Sequence, residues 1–205
     1  MGRTHSKIRC ERCFLRKDLC LCPTLPRVET QTRVIVLVHY LELKTSTNTG
    51  RLATLALPNS ELRIRGLKDE KTKTEDLMTT GGDTLLLYPG PESEELTPEL
   101  VRSLRAPVTL VVPDGSWRQA QKVQSREPGL AAAKRVRLPR GQKISEFRLR
   151  REPNAEAVCT LEAIARSLGI LEGERGPEVQ AQLETLLRTM VNRALFSRGA
   201  EPLNS

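Results

Sequence analysis

The sequence predicts an α/β domain built on a mostly parallel sheet with helices on both faces, preceded by a small cysteine-rich ribbon. Three observations carry that reading. Short apolar runs rich in Val, Ile and Leu alternate with longer segments of helical period. Two of these runs, Val34–Val38 and Val108–Val112, are apolar at nearly every position, as expected of strands covered on both faces. Four of the five cysteines crowd into thirteen residues ahead of the first run.

Length and composition bound the rest. A chain of 205 residues allows one ordinary domain and a small appendage, divided here into a ribbon at 1–30 and a larger domain at 31–205. With 38% apolar and 28% charged residues, neither a disordered chain nor a disulfide-dense miniature fits. The longest apolar run is five residues, far short of the roughly 18 that a spanning helix needs, so no membrane is expected. The N-terminus is basic and lacks the apolar segment of a signal peptide, which points to the cytosol. Met1-Gly2-x3-Ser6 formally matches an acylation signal, but the pattern is short and a single acyl chain anchors only weakly. A monomer is expected.

In chain order, the ribbon comes first. Cys10-x2-Cys13-x6-Cys20-x-Cys22 offers four thiolates, enough to close a tetrahedral zinc site with no position left for water or substrate. Such a metal would be structural. A redox cluster or two disulfides are the alternatives, both disfavoured by a reducing compartment. The strand run Arg33–His39 follows, then a polar block from Glu42 to Arg51 that precedes a helix over Thr49–Leu57. That block is either a capped helix start or, with Lys44, Asn48, Thr49 and Arg51, a place for phosphate and ribose. Glu61–Gly66 and Thr84–Tyr88 read as strands, and Glu92–Glu99 reads as an exposed acidic loop entering a helix over Thr97–Leu104. Thr97 is its N-cap and Pro98 lies in its first turn.

After the strand Val108–Val112 comes Pro113-Asp114-Gly115-Ser116-Trp117, a carboxylate, a glycine and the single tryptophan at a strand-to-helix junction. Asp114 or Ser116 caps a helix over Ser116–Arg126 while Trp117 anchors it to the core, or the turn is a functional site beyond a strand end. Arg135–Leu138 is the last strand, followed by helices over Asn154–Leu168 and Pro177–Phe196. Cys159 stands alone in a helical pattern as a small core residue. In open parallel sheets ligands bind beyond the carboxyl ends of strands, so the turns after Tyr88, Val112 and Leu138 are where one is sought.

Charge adds a partner. Lys and Arg outnumber Asp and Glu by 33 to 25, and the surplus gathers in residues 1–22 and in Lys134–Arg151, where Glu146 is the single acid. Two basic patches suit a polyanion, although a merely solvated basic surface would look the same. Neither G-x-G-x-x-G nor G-x4-G-K-[ST] occurs, which removes support for NAD by the usual route and for P-loop NTP hydrolysis.

Four segments, in this order, resemble the DTW-domain tRNA-uridine aminocarboxypropyltransferases. They are the Cys10/Cys13/Cys20/Cys22 cluster, Ser46-Thr47-Asn48-Thr49-Gly50-Arg51-Leu52, Asp114-Gly115-Ser116-Trp117, which matches D-x-[TS]-W, and Leu149-Arg150-Arg151 followed by Cys159-Thr160-Leu161-Glu162. The likeness runs from Cys10 to about Leu168, and Ser116 keeps the hydroxyl of the more common Thr. It implies a SPOUT-like fold with a C-terminal knot, one of the rare exceptions to unknotted topology. It also implies S-adenosylmethionine as donor of a 3-amino-3-carboxypropyl group to N3 of a tRNA uridine, with methylthioadenosine released. By the same resemblance Asp114 is the base, with Ser116 and Trp117 beside it. Leu87, Tyr88, Pro113, Asp114, Gly115, Leu138, Cys159 and Thr160 cradle the donor, and Arg51, Arg148, Arg150 and Arg151 face anionic groups. Two other classes compete: a zinc-containing RNA-binding module without catalysis, and an S-adenosylmethionine-dependent RNA methyltransferase.

Overall fold

The computed structural model describes residues 8–68, 70–78, 81–149 and 157–203. Six strands form one sheet: β1 (Arg33–His39), β2 (Ser60–Arg65), β3 (Thr84–Leu87), β4 (Glu94–Glu95), β5 (Thr109–Asp114) and β6 (Lys134–Arg137). Every pairing is parallel, in the order β2-β1-β5-β3-β6-β4. Later strands thus enter between earlier ones: β5 lies between β1 and β3, and β6 between β3 and β4. β1 is buried from Val34 to Val38 because both sheet faces are covered, the arrangement that its unbroken β-branched and leucine run demands.

The two faces are covered unequally. On one, Val34, Val36, Leu110 and Val112 pack against helices α1 (Thr49–Ala56), α5 (Thr160–Leu171) and α6 (Gly176–Phe196). Cys13, Leu15 and Leu21 of the ribbon join this same apolar cluster. On the other, Ile35, Leu37 and Val111 meet Leu77, Leu130 and Val123, carried by 3-10 turns at Glu75–Met78 and Pro128–Leu130 and by the short helix Val123–Arg126. No helix among the described residues is long and apolar enough to cross a membrane.

Three sequence expectations need correction. The helix expected over Ser116–Arg126 is two helices, α3 (Trp117–Gln121) and α4 (Val123–Arg126), which follow α2 (Pro98–Ser103) in the chain. The Gln119 carbonyl, which a continuous helix would give to the Val123 N–H, accepts from Arg65 at 3.2 Å. The acidic stretch expected as an open loop carries β4 and buries Ser93 and Leu96, because the Leu96 N–H donates to the Arg137 carbonyl at 2.9 Å and extends the edge of the sheet. The helix expected from Asn154 begins at Thr160 and continues to Leu171; Asn154 itself lies outside the described residues. Residues Met1 to Lys7, with the acylation pattern, also lie outside them.

Candidate active site

Because all strands run the same way, the turns after β1, β3, β5 and β6 converge on one edge of the sheet. With the start of α5 they line a cavity of about 1270 Å³. That exceeds the roughly 300–1,000 Å³ of a pocket for one small ligand, leaving room for two reactants.

Asp114, the last residue of β5, lies in the cavity wall at 8% exposure. Its Oδ2 accepts from Asn48 Nδ2 at 2.5 Å, and its Oδ1 accepts from the Thr160 hydroxyl. Asn48 is held in turn: it is the N-cap of α1, and its Oδ1 accepts the Arg51 N–H at 2.6 Å. Thr160 opens α5, whose N-terminus is fixed by Glu162 accepting the Cys159 N–H at 3.0 Å. Thr49 Oγ1 accepts the Leu161 N–H at 3.4 Å and joins the two helix starts. A Cβ added at Gly50 would stand 2.9 Å from Asp114 Oδ2, so α1 approaches the carboxylate as closely as a missing side chain permits.

Above this floor, Leu87, Tyr88, Pro113, Gly115, Leu138 and Cys159 line the cavity together with Thr49. Gly115 has φ +155°, in the region that favours glycine, and a Cβ there would meet Gln119 Oε1 at 2.8 Å. Ser116 takes the N-cap position of α3 and its N–H donates to Gln119 Oε1 at 2.8 Å. Trp117 is not the core anchor that the sequence suggests: it is 39% exposed at the cavity, its ring centroid 6.4 Å from that of Tyr88. The turn puts its first helical residue outward, since the segment before it must bring Asp114 inward.

Of the basic residues expected to face anions, Lys44, Arg51 and Arg148 do not line the cavity, while Arg150 and Arg151 lie outside the described residues. The Arg51 guanidinium sits 4.3 Å over the Phe14 ring and donates to the Leu43 carbonyl at 2.9 Å. Burial lowers the Arg51 pKa while the Asp114 carboxylate and the Cys13 thiol oppose that shift, so the cation bridges ribbon and floor. Arg137, Arg140 and Lys143 of the basic stretch Lys134–Arg151 do line the cavity, as does Arg166, which sequence reasoning missed. The helical spacing Thr160, Ala163, Arg166 would have found Arg166, since all three line the cavity from α5.

The four cysteine sulfurs lie within 4.8 Å of one another. Cys10 Sγ and Cys22 Sγ are 3.7 Å apart, and Cys13 Sγ and Cys20 Sγ are 3.8 Å apart. A tetrahedron with zinc–sulfur arms of about 2.3 Å has edges of about 3.8 Å, so the donor set and its spacing both fit a metal ion. Backbone N–H groups of Cys13 and then Arg12 point at the Cys10 sulfur and lower its pKa to about 6 against the effect of burial. The ribbon is tied to α6 by Arg193, which donates to the Cys20 carbonyl at 2.6 Å.

The DTW domain family matches this chain over residues 7–195. The chain belongs to that family. Similar to this DTW-domain chain is the tRNA-uridine aminocarboxypropyltransferase 2 of Drosophila melanogaster, 31% identical over 94% of this chain and 77% of the fly protein. The protein of the same name from Macaca fascicularis is 30% identical over 88% of this chain and 60% of its own length. The tRNA-uridine aminocarboxypropyltransferase A of Arabidopsis thaliana is 30% identical over 91% of this chain and 81% of the plant protein. The DTW chain therefore spans most of the fly and plant relatives and about three fifths of the primate one.

Proposed function

We propose that this DTW-domain chain is an enzyme that transfers the 3-amino-3-carboxypropyl group of S-adenosylmethionine to N3 of a tRNA uridine. The observation that carries the reading is Asp114: a buried carboxylate at the carboxyl edge of a parallel sheet, in a family whose relatives are named for this reaction. The donor, when bound, supplies an activated methylene beside a positively charged sulfur. N3 forms a bond to that carbon, the carbon–sulfur bond breaks, its electron pair stays on sulfur, and methylthioadenosine leaves. Asp114 attracts the sulfonium and accepts the N3 proton, which then passes to water. Asn48 and Thr160 hold its two oxygens in place, so the base is already oriented when the reactants arrive. Ser116 fixes the turn after Asp114, and Trp117 presents an exposed ring at the cavity for the incoming base.

The donor fits among Leu87, Tyr88, Pro113, Gly115, Leu138, Cys159 and Thr160. Arg148, Arg150 and Arg151, with Lys44 and the rim cations Arg140 and Lys143, face the tRNA backbone. Zinc in the four thiolates at 10–22 has no open position and acts structurally, in a ribbon at 1–30 packed against the catalytic domain at 31–205. A SPOUT-like fold with a C-terminal knot is in keeping with the strand order, in which β5 and β6 enter between earlier strands. A cytosolic location suits four thiolates reserved for a metal, since a reducing compartment keeps them from pairing.

The test is incubation with S-adenosylmethionine and unmodified bulk tRNA, followed by nucleoside mass spectrometry and analysis of the nucleoside product. Aminocarboxypropyluridine with methylthioadenosine is the expected outcome. S-adenosylhomocysteine would instead make the chain a methyltransferase, and tight tRNA binding without any turnover would make it an RNA-binding module.

A further inference from the structure

Among the described residues that line the cavity, Arg166 is the one buried cation. It is 5% exposed and lies on the stripe Thr160, Ala163, Arg166 of α5 that lines the cavity. A guanidinium carries five N–H donors and stays charged, so a buried one requires acceptors. Among the described residues its charged contact is Glu162 Oε1, at a distant 3.9 Å. Glu162 is already engaged: it accepts from Ser145 Oγ at 2.6 Å, from the Glu146 N–H at 2.8 Å and from the Cys159 N–H at 3.0 Å. The carboxylate thus anchors the rim loop and caps α5, while Arg166 lies 3.9 Å from it and lines the cavity.

The other cavity cations are differently placed. Arg137 donates to the Ser93 carbonyl and lies 3.8 Å from Glu95, and Lys143 pairs with Glu146; Arg140 and Lys143 are exposed at the rim. Arg166 follows Thr160 by six residues, about 9 Å along the helix at 1.5 Å per residue. Thr160 holds Asp114. The cavity therefore presents a negative group at one end of this stripe and a buried cation at the other.

We propose that Arg166 is the specificity-determining residue for the donor's carboxylate, binding it by its planar fork while Asp114 faces the sulfonium. The inference rests on the functional reading above and adds the group that selects a donor still carrying its carboxylate. Anchoring that end fixes which carbon of the sulfonium faces the uridine, because the propyl arm is then held at both ends.

Equilibrium binding to the full chain of S-adenosylmethionine, its decarboxylated analogue and methylthioadenosine tests this. The wild-type chain should prefer S-adenosylmethionine over the decarboxylated analogue by roughly 10- to 100-fold, the range for a charge-assisted bidentate pair. Arg166→Gln should abolish that preference and leave methylthioadenosine affinity unchanged, which also reports an intact adenosine subsite. Arg166→Lys keeps a cation beside Glu162 and should retain part of the preference. If Arg166→Gln does not fold, Arg166→Lys decides: weakened S-adenosylmethionine with unchanged methylthioadenosine sustains the proposal, and equal effects on both overturn it. Undiminished preference in a folded Arg166→Gln also overturns it. A wild-type chain that binds none of the three ligands would instead remove the functional reading beneath it.

Discussion

The four thiols of the ribbon and the polar triplet Asn48, Asp114 and Thr160 are both small clusters set against the same apolar core, yet they are held by opposite means. The thiols come from thirteen neighbouring residues whose backbone forms 3-10 turns at Lys17–Leu19 and Cys22–Thr24 and a small knuckle closed by the Arg9–Arg16 bridge. Local hydrogen bonds and core packing bring the four sulfurs within 4.8 Å of one another, a donor set that an ion would tie together. The triplet comes from three distant elements, each fixed by its own backbone: a strand end for Asp114, a helix cap for Asn48, a first helical residue for Thr160. One cluster offers the donor set for a bound ion, the other relies on the fold alone. Breaking each should therefore give different signatures.

The largest effect is expected in the ribbon. The purified chain should carry one zinc, and replacing Cys10 and Cys13 together by Ser should release it. Loss of a site whose binding energy is folding energy should cost at least about 3 kcal/mol, or roughly 6–12 °C in Tm for a chain of this size. Elemental analysis and thermal unfolding check both statements; freshly purified, fully reduced protein without zinc would break the comparison at its first term.

Next in size is Asp114→Asn, which should leave Tm nearly unchanged while turnover falls by about 100-fold or more. The replacement keeps the shape: its carbonyl can still accept from Asn48, and its NH2 can donate to the Thr160 hydroxyl, which rotates to accept. Turnover measured with both substrates saturating is the readout, and near-normal turnover would reduce Asp114 to a structural residue.

The smallest effect sharpens the contrast at the rim. Glu146 fastens the loop after β6 to α6 through Arg188, whose Nε lies 3.0 Å from Glu146 Oε2. That hydrogen bond, with help from Lys143, lowers the Glu146 pKa to about 2. A carboxylate depressed in the folded state contributes stability that is present above its ordinary pKa and lost as pH falls toward the folded value. Glu146→Gln should therefore cost about 1 kcal/mol at neutral pH, since Arg188 is partly exposed, and the gap from wild type should close between about pH 4.5 and pH 2. Urea unfolding at stepped pH measures it, and a gap independent of pH would assign the loss to packing.

The same contrast explains what was legible in the sequence. The ribbon could be read because its ligands are neighbours, and β1 because its buried run is continuous. Asn48 could be read as a helix start, but its bond to Asp114 joins residues 66 apart, which no local pattern contains. β4 escaped because two glutamates carry no strand period; partners on β6 make it a strand. The break at Lys122 has no glycine or proline to announce it, since Arg65, far away in sequence, takes a helix carbonyl. Arg166 was within reach by helical spacing from Thr160, and was passed over because an arginine in a helix reads as surface until its 5% exposure is known.

The strand order also governs how the chain can be made. Of the five strand pairings, β1–β2 alone joins two strands that both precede residue 100; β3 and β4 must wait for β5 and β6 to arrive beside them. A nascent chain leaving the ribosome thus holds one paired fragment, β1–β2, and two unpaired strands, β3 and β4, until the later strands slot between them. The four thiols of the ribbon, complete by residue 22, can gather long before this. Asp114 meets Thr160 only when α5 has docked, so the chain must be made past residue 160 before this carboxylate has both of its partners.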